Sequence, residues 1–479
     1  MLCHEDKKTL AIYTGLSFIF IYPLIYAGLF YRDDLDRAIT GQYGWRGLGR
    51  PAADILMRIL SASGHYNLDL FPYTTIASCF FLALSALTFK KHLSKIEVPH
   101  AKFVASLLIF NPFLLQSILY RYDCLGMVLG CLLSVVAYTY NNKNTFLRTA
   151  VIVVSGTLSL MFYQSSFNIF IGLLAVDIMV SGSKSEIKIH DSLKLIFKKL
   201  VIFIFIYSLY RLFLLHKHIA RSELVSFDIN GLRQIFDTIS SLYALISSYF
   251  WGPVFIYFII PIISMAFLVI FKRGVENKTK LLFYAFSLIS ILIFILSLMG
   301  PMILLKYSPV LPRTLYSFSV LLILIAIPIT FYFPKLRYLS LLPVVCSFAF
   351  SAQLSSALTS QRNYEDFIFG MIAKDVITHP DIVSTITVGQ VNINERTQLI
   401  LNSKPLVGYF LSPATQFLAS FQLINKGLTS TTYGYGEEEN NSQVLQKLII
   451  DGVRPEIKNA EYSIYFNKNV AIIKLGSTK

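Results

Sequence analysis

Three aspartates lie just after the first apolar run of this sequence, and their types and spacing suit acid–base chemistry. The stretch 31–51 reads YRDDLDRAITGQYGWRGLGRP and contains Asp33, Asp34 and Asp36. Carboxylates that crowd together beside arginine in a partly desolvated site tune one another's pKa values, which suits a general base. The alternative is that the three carboxylates form only a solvated helix end.

The same loop carries groups that could hold a sugar or a phosphate. Trp45 and Tyr43 can stack on the face of a sugar ring, and Arg50 can bind an anion. Glycines recur through the stretch and permit tight backbone paths close to a ligand. We therefore predict a substrate-binding role for Asp36, Trp45 and Arg50.

Further polar groups occur at three other breaks between apolar runs. Ionisable groups near membrane depth are costly and tend to be functional, so we predict that these groups complete one composite substrate site. The alternative for the turn at 120–123 is that a short turn needs polar residues anyway. The groups are Arg121, Tyr122, Asp123, Gln164, Lys306 and Arg313.

The elements that must position these residues are membrane-spanning helices. The chain of 479 residues is 55% hydrophobic and 14% charged. Apolar runs of about 20 residues suffice to cross a bilayer as helices, in which every backbone polar group is satisfied. The sequence predicts about eleven spans, at roughly 10–30, 71–89, 102–119, 125–140, 148–163, 167–181, 197–215, 251–271, 281–304, 314–333 and 338–357.

Charge patterning predicts the orientation of these spans. With the N-terminus in the cytoplasm, the cytoplasmic segments are rich in lysine and the external loops are rich in arginine. Arginine makes planar, bidentate contacts with phosphate and carboxylate, so the external face looks suited to an anion. The net charge of +15 is then explained by topology, and we expect no nucleic-acid partner.

Two segments differ from the spans. The segment 231–250 is amphipathic and is predicted to lie along the membrane interface, or else to begin a long tilted span. From residue 360 the chain reads as a helix followed by short strands at 384–391, 405–410 and a hairpin around 467–469. We predict a transmembrane catalytic domain at 1–359, with a first external loop at 31–70, and an external α/β domain at 360–479.

Motifs of soluble enzymes do not compete with this interpretation. The sequence contains no P-loop, no GxGxxG after a strand, no HExxH and no GxSxG. The five cysteines and eight histidines show no metal-ligand spacing, so no metal and no cofactor are predicted. Activated nucleotides are cytoplasmic, so a sugar donor on the external side must be linked to a lipid.

As a set, these segments resemble a known family. The Asp-rich first loop, GRPAADILMRIL, NPFLLQSILYRYDCLGM, MFYQSSFNIF and LPRTLYSF resemble the membrane glucosyltransferases of O-antigen serotype conversion, of the Gtr family two type. Those proteins are similar in layout to glycosyltransferases of the GT-C class. The resemblance covers most of the membrane portion and is weakest across 182–300 and in the tail.

The resemblance implies a reaction and its partners. The donor would be undecaprenyl phosphate glucose, made by a partner glycosyltransferase and flipped by a small membrane protein. The acceptor would be a sugar hydroxyl of the O-antigen of lipopolysaccharide, at the periplasmic face of the bacterial inner membrane. GT-C enzymes place a catalytic aspartate in the first external loop, which Asp34 or Asp33 matches, and the transfer would invert the anomeric configuration. Arg313, Arg121 and Arg50 would neutralise the charge that develops on the lipid phosphate.

Other functions stay open at this point. A related transferase could use another sugar or another acceptor, because nothing in the sequence fixes the sugar. A flippase for lipid-linked sugars would show polar groups at mid-membrane and repeated halves, whereas the charges here cluster at the external edge. An O-antigen polymerase would have a large loop between spans, whereas the soluble part here is a C-terminal tail.

Overall fold

The computed structural model describes residues 3–184, 189–213, 223–271 and 277–476, and this part of the chain is mostly helical. Residues 214–215 of the span predicted at 197–215 lie outside the described residues. The α-helices are α1 (His4–Ala27), α2 (Asp34–Thr40), α3 (Pro51–Ser61), α4 (Tyr73–Lys95), α5 (Ala101–Ser106), α6 (Leu115–Leu119), α7 (Cys124–Thr139), α8 (Thr145–Phe162), α9 (Ile169–Ser183), α10 (Ile189–Phe213), α11 (Ile229–Tyr249), α12 (Val254–Phe271), α13 (Asn277–Met299), α14 (Ser319–Tyr332), α15 (Leu342–Ile377), α16 (Glu395–Ser403), α17 (Gln416–Asn425) and α18 (Glu438–Ile450). The strands are β1 (Ser384–Gly389), β2 (Ile457–Lys458), β3 (Tyr462–Asn467) and β4 (Val470–Leu475).

Every predicted span overlaps a helical segment of the structure. Seven helices of the described residues are long and apolar enough to cross a membrane, or eight if one bent pair counts as a span. The helices α7 and α14 have 16 and 14 residues, and a span needs about 17 to 25. The predicted number of eleven spans therefore remains a prediction, as does their orientation.

The amphipathic segment 231–250 forms a helix of its own, α11. Asp228 caps its first turn, because its carboxylate accepts a hydrogen bond from the backbone N–H of Gly231 at 2.8 Å. The axes of α11 and of the first part of α12 differ by 93°. The two helices therefore do not form one straight tilted span.

Contacts divide the described chain into two compact units. The first contains residues 1–26, 43–64 and 70–352, and the second contains 27–42, 65–69 and 353–479. The first external loop predicted at 31–70 is thus shared between both units. The contact boundary at 352/353 lies inside α15, whereas hydropathy predicted a boundary at 359/360.

The first unit is a bundle of apolar helices in which α9 packs against α13 and α14. Small residues permit the close approach. A Cβ built on Gly182 would lie 2.5 Å from the Cβ of Phe286, and one built on Gly172 would lie 2.9 Å from a methyl of Val320. Association of helices in lipid depends on such small residues, because apolar burial alone gives little advantage there.

The second unit contains a four-stranded mixed sheet with the strand order β1-β4-β3-β2. The predicted hairpin is confirmed, since β3 and β4 pair antiparallel and Asn467 pairs with Val470 across the turn. β1 pairs parallel with β4, which requires the helical connection between them. One sheet face packs on α15 through Phe369 and Ile372.

One strand prediction in the tail is wrong. Residues 405–410 form a 3₁₀ helix, Pro405–Tyr409, and not a strand. Pro405 cannot donate to a ladder and Gly408 adds no side chain to a sheet face, so this apolar run has little to gain from strand pairing. The predicted helix that begins at 360 is continuous with the last predicted span, because α15 extends from Leu342 to Ile377.

Candidate active site

The three aspartates of the first loop lie at the start of α2, in the second unit, and have different surroundings. The carboxylate of Asp34 is fully buried, and its Oδ2 accepts a hydrogen bond from the backbone N–H of Tyr31 at 3.1 Å. Asp33 precedes the helix, is partly exposed and pairs with Arg37 one turn later at 3.1 Å. A backbone N–H just before the helix therefore orients Asp34, whereas the ion pair with Arg37 orients Asp33.

Asp36 accepts hydrogen bonds from two side chains of the first loop. Its two carboxylate oxygens accept from the hydroxyl of Thr40 at 3.2 Å and from the amide Nε2 of Gln42 at 2.7 Å. The hydroxyl of Tyr435 accepts from the same Nε2 at 3.4 Å. Burial raises the pKa of Asp36 above its ordinary value of 3.8, although the hydroxyl groups of Tyr435 and Thr40 oppose the shift. A carboxylate with a raised pKa is a stronger base once it is ionised.

Asp36 lines a cleft of the second unit. The cleft is open to solvent and lies among residues 29–36, 358–365 and 411–422. Its polar lining includes Arg32, Arg362 and Glu365. Sequence reasoning missed Glu365, because it lies in a helix that reads as ordinary amphipathic surface. Asp33 and Asp34 do not line this cleft.

In the first unit, Trp45 and Arg50 converge on Asp123. The indole Nε1–H of Trp45 donates to Oδ1 of Asp123 at 2.6 Å, and Nη1 of Arg50 lies 3.9 Å from the same oxygen. Trp45 is fully buried and packs with Tyr122. Two loops that are distant in sequence thus form one polar cluster.

Gln164 extends this cluster. Its Oε1 accepts from Nε of Arg50 at 3.2 Å, and its Nε2 donates to the backbone oxygen of Leu48 and to the hydroxyl of Tyr210, both at 2.9 Å. The guanidinium of Arg50 also lies over the ring of Tyr163, 4.5 Å from its centroid. The sequence offered no signal for Tyr210, because a tyrosine within an apolar run is common.

Two further arginines of the predicted site contact side chains that are distant in sequence but belong to the same first unit. The guanidinium of Arg121 lies 4.4 Å from the ring centroid of Phe71. The backbone N–H of Arg313 donates to Oε1 of Gln116 at 3.0 Å, and its guanidinium lies over the ring of Tyr120.

Two other charged groups of this unit are engaged in ion pairs. The ammonium of Lys306 pairs with Glu223 at 2.9 Å on the surface. The buried carboxylate of Asp54 binds Arg46 at 2.7 Å and Arg58 at 2.8 Å. Among the described residues no group of three or more His, Cys, Asp or Glu side chains is arranged to hold a metal ion.

Comparison with known proteins adds to this geometry. An uncharacterized 55.3 kDa protein in the gtrB 5′ region of Salmonella phage P22 is 30% identical to the chain over 194 residues. That match spans 38% of this chain and 38% of the phage protein. No solved structure matches the chain significantly. The family model described as glucosyl transferase GtrII matches residues 22–330, which is more than half of the 479 residues, and the chain therefore belongs to that family.

Proposed function

We propose that the protein transfers glucose from undecaprenyl phosphate glucose to a sugar hydroxyl of O-antigen, on the periplasmic side of the bacterial inner membrane. The observation that carries this proposal is membership of the glucosyl transferase GtrII family over residues 22–330. That range includes the aspartates of α2 as well as Arg50, Asp123 and Arg313. The absence of a nucleotide-binding motif in the sequence supports a lipid-linked donor.

The reaction would be a single displacement. The acceptor hydroxyl oxygen bonds to the anomeric carbon of glucose while the bond from that carbon to the phosphate oxygen breaks. Undecaprenyl phosphate leaves with the electron pair, and a carboxylate takes the proton of the hydroxyl. Attack from the side opposite to the phosphate inverts the anomeric configuration. Arg50, Arg121 and Arg313, together with Lys306, would stabilise the negative charge of the leaving phosphate.

The base is proposed to be a carboxylate of the first loop. The family resemblance favours Asp34 or Asp33. The geometry adds Asp36, because it lines the cleft and has a raised pKa, whereas Asp34 does not line the cleft. A base must come within about 2.6 to 3.2 Å of the proton's oxygen, and catalytic hydrogen bonds often tighten only when substrate binds. Each of the three carboxylates is therefore replaced in turn.

The test is a transfer assay with purified protein, undecaprenyl phosphate glucose and O-antigen glycolipid. Wild type is compared with Asp33→Asn, Asp34→Asn and Asp36→Asn, with the exposed Asp381→Asn as the matched control. We expect one first-loop variant to lose transfer by about 10²- to 10⁴-fold while its donor binding persists. The control should transfer at the wild-type rate. Near-normal rates in all three variants would exclude a first-loop base.

The same assay separates the alternative functions. Mass spectrometry of the acceptor should show the addition of a single hexosyl residue. An O-antigen polymerase would lengthen the glycan by whole repeats, and a flippase would move the donor across a proteoliposome membrane without forming a glycosidic bond. If the protein used undecaprenyl phosphate galactose as donor and did not use undecaprenyl phosphate glucose, it would be a galactosyltransferase.

A further inference from the structure

Two half-exposed tyrosines form an aromatic surface on the second unit. Tyr433 and Tyr435 expose 49% and 46% of their areas. Gly434 between them adopts a left-handed conformation with φ +74°, so the chain turns sharply there. Exposed aromatic rings on a soluble surface lose favourable burial, and they are typical of binding sites. This pair is called the tyrosine surface below.

The two rings of the tyrosine surface pack against phenylalanine rings of the same unit. The ring of Tyr433 stacks on buried Phe421 with centroids 5.1 Å apart. The ring of Tyr435 lies 5.3 Å from the ring of Phe417 and 5.7 Å from that of Phe421. These contacts fix the orientation of both rings before any ligand arrives. Preorganised rings bind with a smaller loss of side-chain entropy.

The tyrosine surface adjoins the cleft that Asp36 lines. Nε2 of Gln42 links the two, because it donates to Asp36 at 2.7 Å and to the hydroxyl of Tyr435 at 3.4 Å. Phe421 belongs to both, because it supports the tyrosine surface and also lines the cleft. All of these residues lie in the second unit.

The charges of the cleft are balanced. Arg32 and Arg362 face two carboxyl groups, those of Asp36 and Glu365, so the formal charges of the lining cancel. Arg362 is further neutralised by Asp366, which lies 3.3 Å from its Nε. A phosphate would gain little from such a lining, whereas a neutral ligand with many hydroxyl groups could donate to the carboxyl groups and accept from the guanidinium groups.

One buried acceptor of the cleft has no hydrogen-bond donor. Oε1 of Gln422 finds no partner among the described residues, although the side chain lines the cleft and is only 8% exposed. A buried polar atom without a partner costs about 1–3 kcal/mol. A hydroxyl group of a bound ligand would satisfy this amide, whichever way its oxygen and nitrogen are oriented.

We propose that the tyrosine surface and the adjoining cleft bind a neutral sugar ring of the acceptor glycan. The C–H face of the ring packs on Tyr433 and Tyr435, and its hydroxyl groups bond to Asp36 and Gln422. This inference rests on the proposed function, since it assigns the acceptor to the second unit. It gives the C-terminal part of the chain a role in acceptor selection.

The first experiment measures binding without transfer. Full-length protein in nanodiscs is titrated with delipidated O-polysaccharide, and binding is followed by saturation-transfer NMR. The variants are Tyr433→Ala, which removes an exposed ring, and Gln422→Leu, which removes the buried amide. Phe367→Ala is the matched control, because Phe367 is an aromatic residue of the same unit that is 64% exposed.

We expect Tyr433→Ala and Gln422→Leu to weaken polysaccharide binding by about tenfold each, which corresponds to about 1.4 kcal/mol. The control should bind as wild type does. Unchanged affinity in both variants would overturn the proposed subsite. Competition by undecaprenyl phosphate alone would also overturn it, because the cleft would then hold the donor phosphate.

A second measurement separates this inference from the proposed function. In the transfer assay, the two variants should raise the KM for acceptor and leave the KM for donor unchanged. A wild-type protein that binds the polysaccharide but transfers no glucose would refute the proposed function and support the subsite. A wild-type protein that transfers glucose, with variants of unaltered acceptor KM, would support the function and refute the subsite.

Discussion

The indole Nε1 of Trp45 lies 2.6 Å from Oδ1 of Asp123, and the two residues are separated by 78 positions in the sequence. Both side chains are buried in the first unit. A charge-assisted hydrogen bond of this kind offsets part of the cost of burying the carboxylate. Arg50 lies 3.9 Å from the same oxygen and adds an opposite charge. Asp123 thereby connects the first loop with the turn before α7.

Removal of this donor should destabilise the folded protein. Trp45→Phe keeps most of the ring volume but removes the hydrogen bond that the indole donates to Oδ1 of Asp123. We expect the free energy of unfolding in mixed micelles to fall by about 1.5 to 3 kcal/mol, the usual worth of a hydrogen bond to a charged group.

The second tryptophan of the chain provides the control. Trp251 is 59% exposed, so Trp251→Phe should leave the free energy of unfolding unchanged. That variant also leaves Trp45 as the one fluorophore of its kind, since the chain has 2 tryptophans. Equal stability of Trp45→Phe and Trp251→Phe would contradict the assigned bond.

Asp36 should reduce stability at neutral pH rather than increase it. Its pKa is raised, chiefly by burial, so the folded protein binds this proton more tightly than the unfolded chain does. The stability that the group contributes therefore rises as the pH falls through the raised folded pKa towards 3.8. Asp36→Asn removes the cost of the buried charge, and we expect equal or greater stability than wild type near neutral pH.

The difference should shrink in acid, where the wild-type carboxyl is itself neutral. Denaturation of wild type and Asp36→Asn over a series of pH values measures both effects. Strong destabilisation of Asp36→Asn at neutral pH would mean that the ionised carboxylate of Asp36 stabilises the fold. A stable variant that loses transfer would instead mark Asp36 as a residue retained for function.

The helices of this protein could be predicted from the sequence because apolar runs of membrane length have few other possible structures. Hydropathy located a helix at each predicted span, and the residues around Asn467 indicated the hairpin. The interfacial segment predicted at 231–250 already implied a break near residue 250, and the structure has a 93° bend there. Hydropathy does not report whether a helix continues beyond the membrane, so the full length of α15 was not predicted.

The site could be predicted only in part, for a similar reason. The sequence marked Asp123 and Gln164 as polar groups at breaks between apolar runs and Trp45 as an aromatic residue of the first loop. The structure joins all three, directly or through Arg50. It could not mark Gln422, because an amide in a short amphipathic helix looks like any surface residue. Its importance arises only from burial beside a cleft.

His379 should make the second unit more stable in mildly acidic solution. Its Nδ1 lies 3.0 Å from the backbone oxygen of Asp375, its Nε2 lies 3.2 Å from Glu456, and its ring stacks on Phe466. The bond to the Asp375 oxygen, followed by Glu456, raises the pKa of His379 above 6.5. A raised histidine pKa contributes stability that is fully present below 6.5 and is lost as the pH rises through the folded value.

Hydrogen exchange of β3 and β4 at a series of pH values measures this effect. Wild type should lose protection as the pH rises above 6.5, after correction for the intrinsic exchange rate. His379→Gln should show a flatter profile over the same interval. If the two proteins showed the same pH dependence of protection, that dependence would come from a titratable group other than His379.

Replacement of the buried carboxylate of Asp177 should strongly destabilise the helix bundle. Its Oδ1 lies 2.8 Å from Nε2 of His92, and its Oδ2 accepts from the hydroxyl of Tyr138 at 2.7 Å. Asp177→Ala leaves both partners buried without their acceptor, and we expect a loss of about 3–5 kcal/mol in the free energy of unfolding. The exposed Asp191→Ala should cost little stability.

A double-mutant cycle isolates the hydrogen bond between Tyr138 and Asp177. Tyr138→Phe should destabilise wild type by about 1–3 kcal/mol and should cost clearly less in the Asp177→Ala background. Equal costs in both backgrounds would mean that the Tyr138 hydroxyl and Asp177 contribute independently.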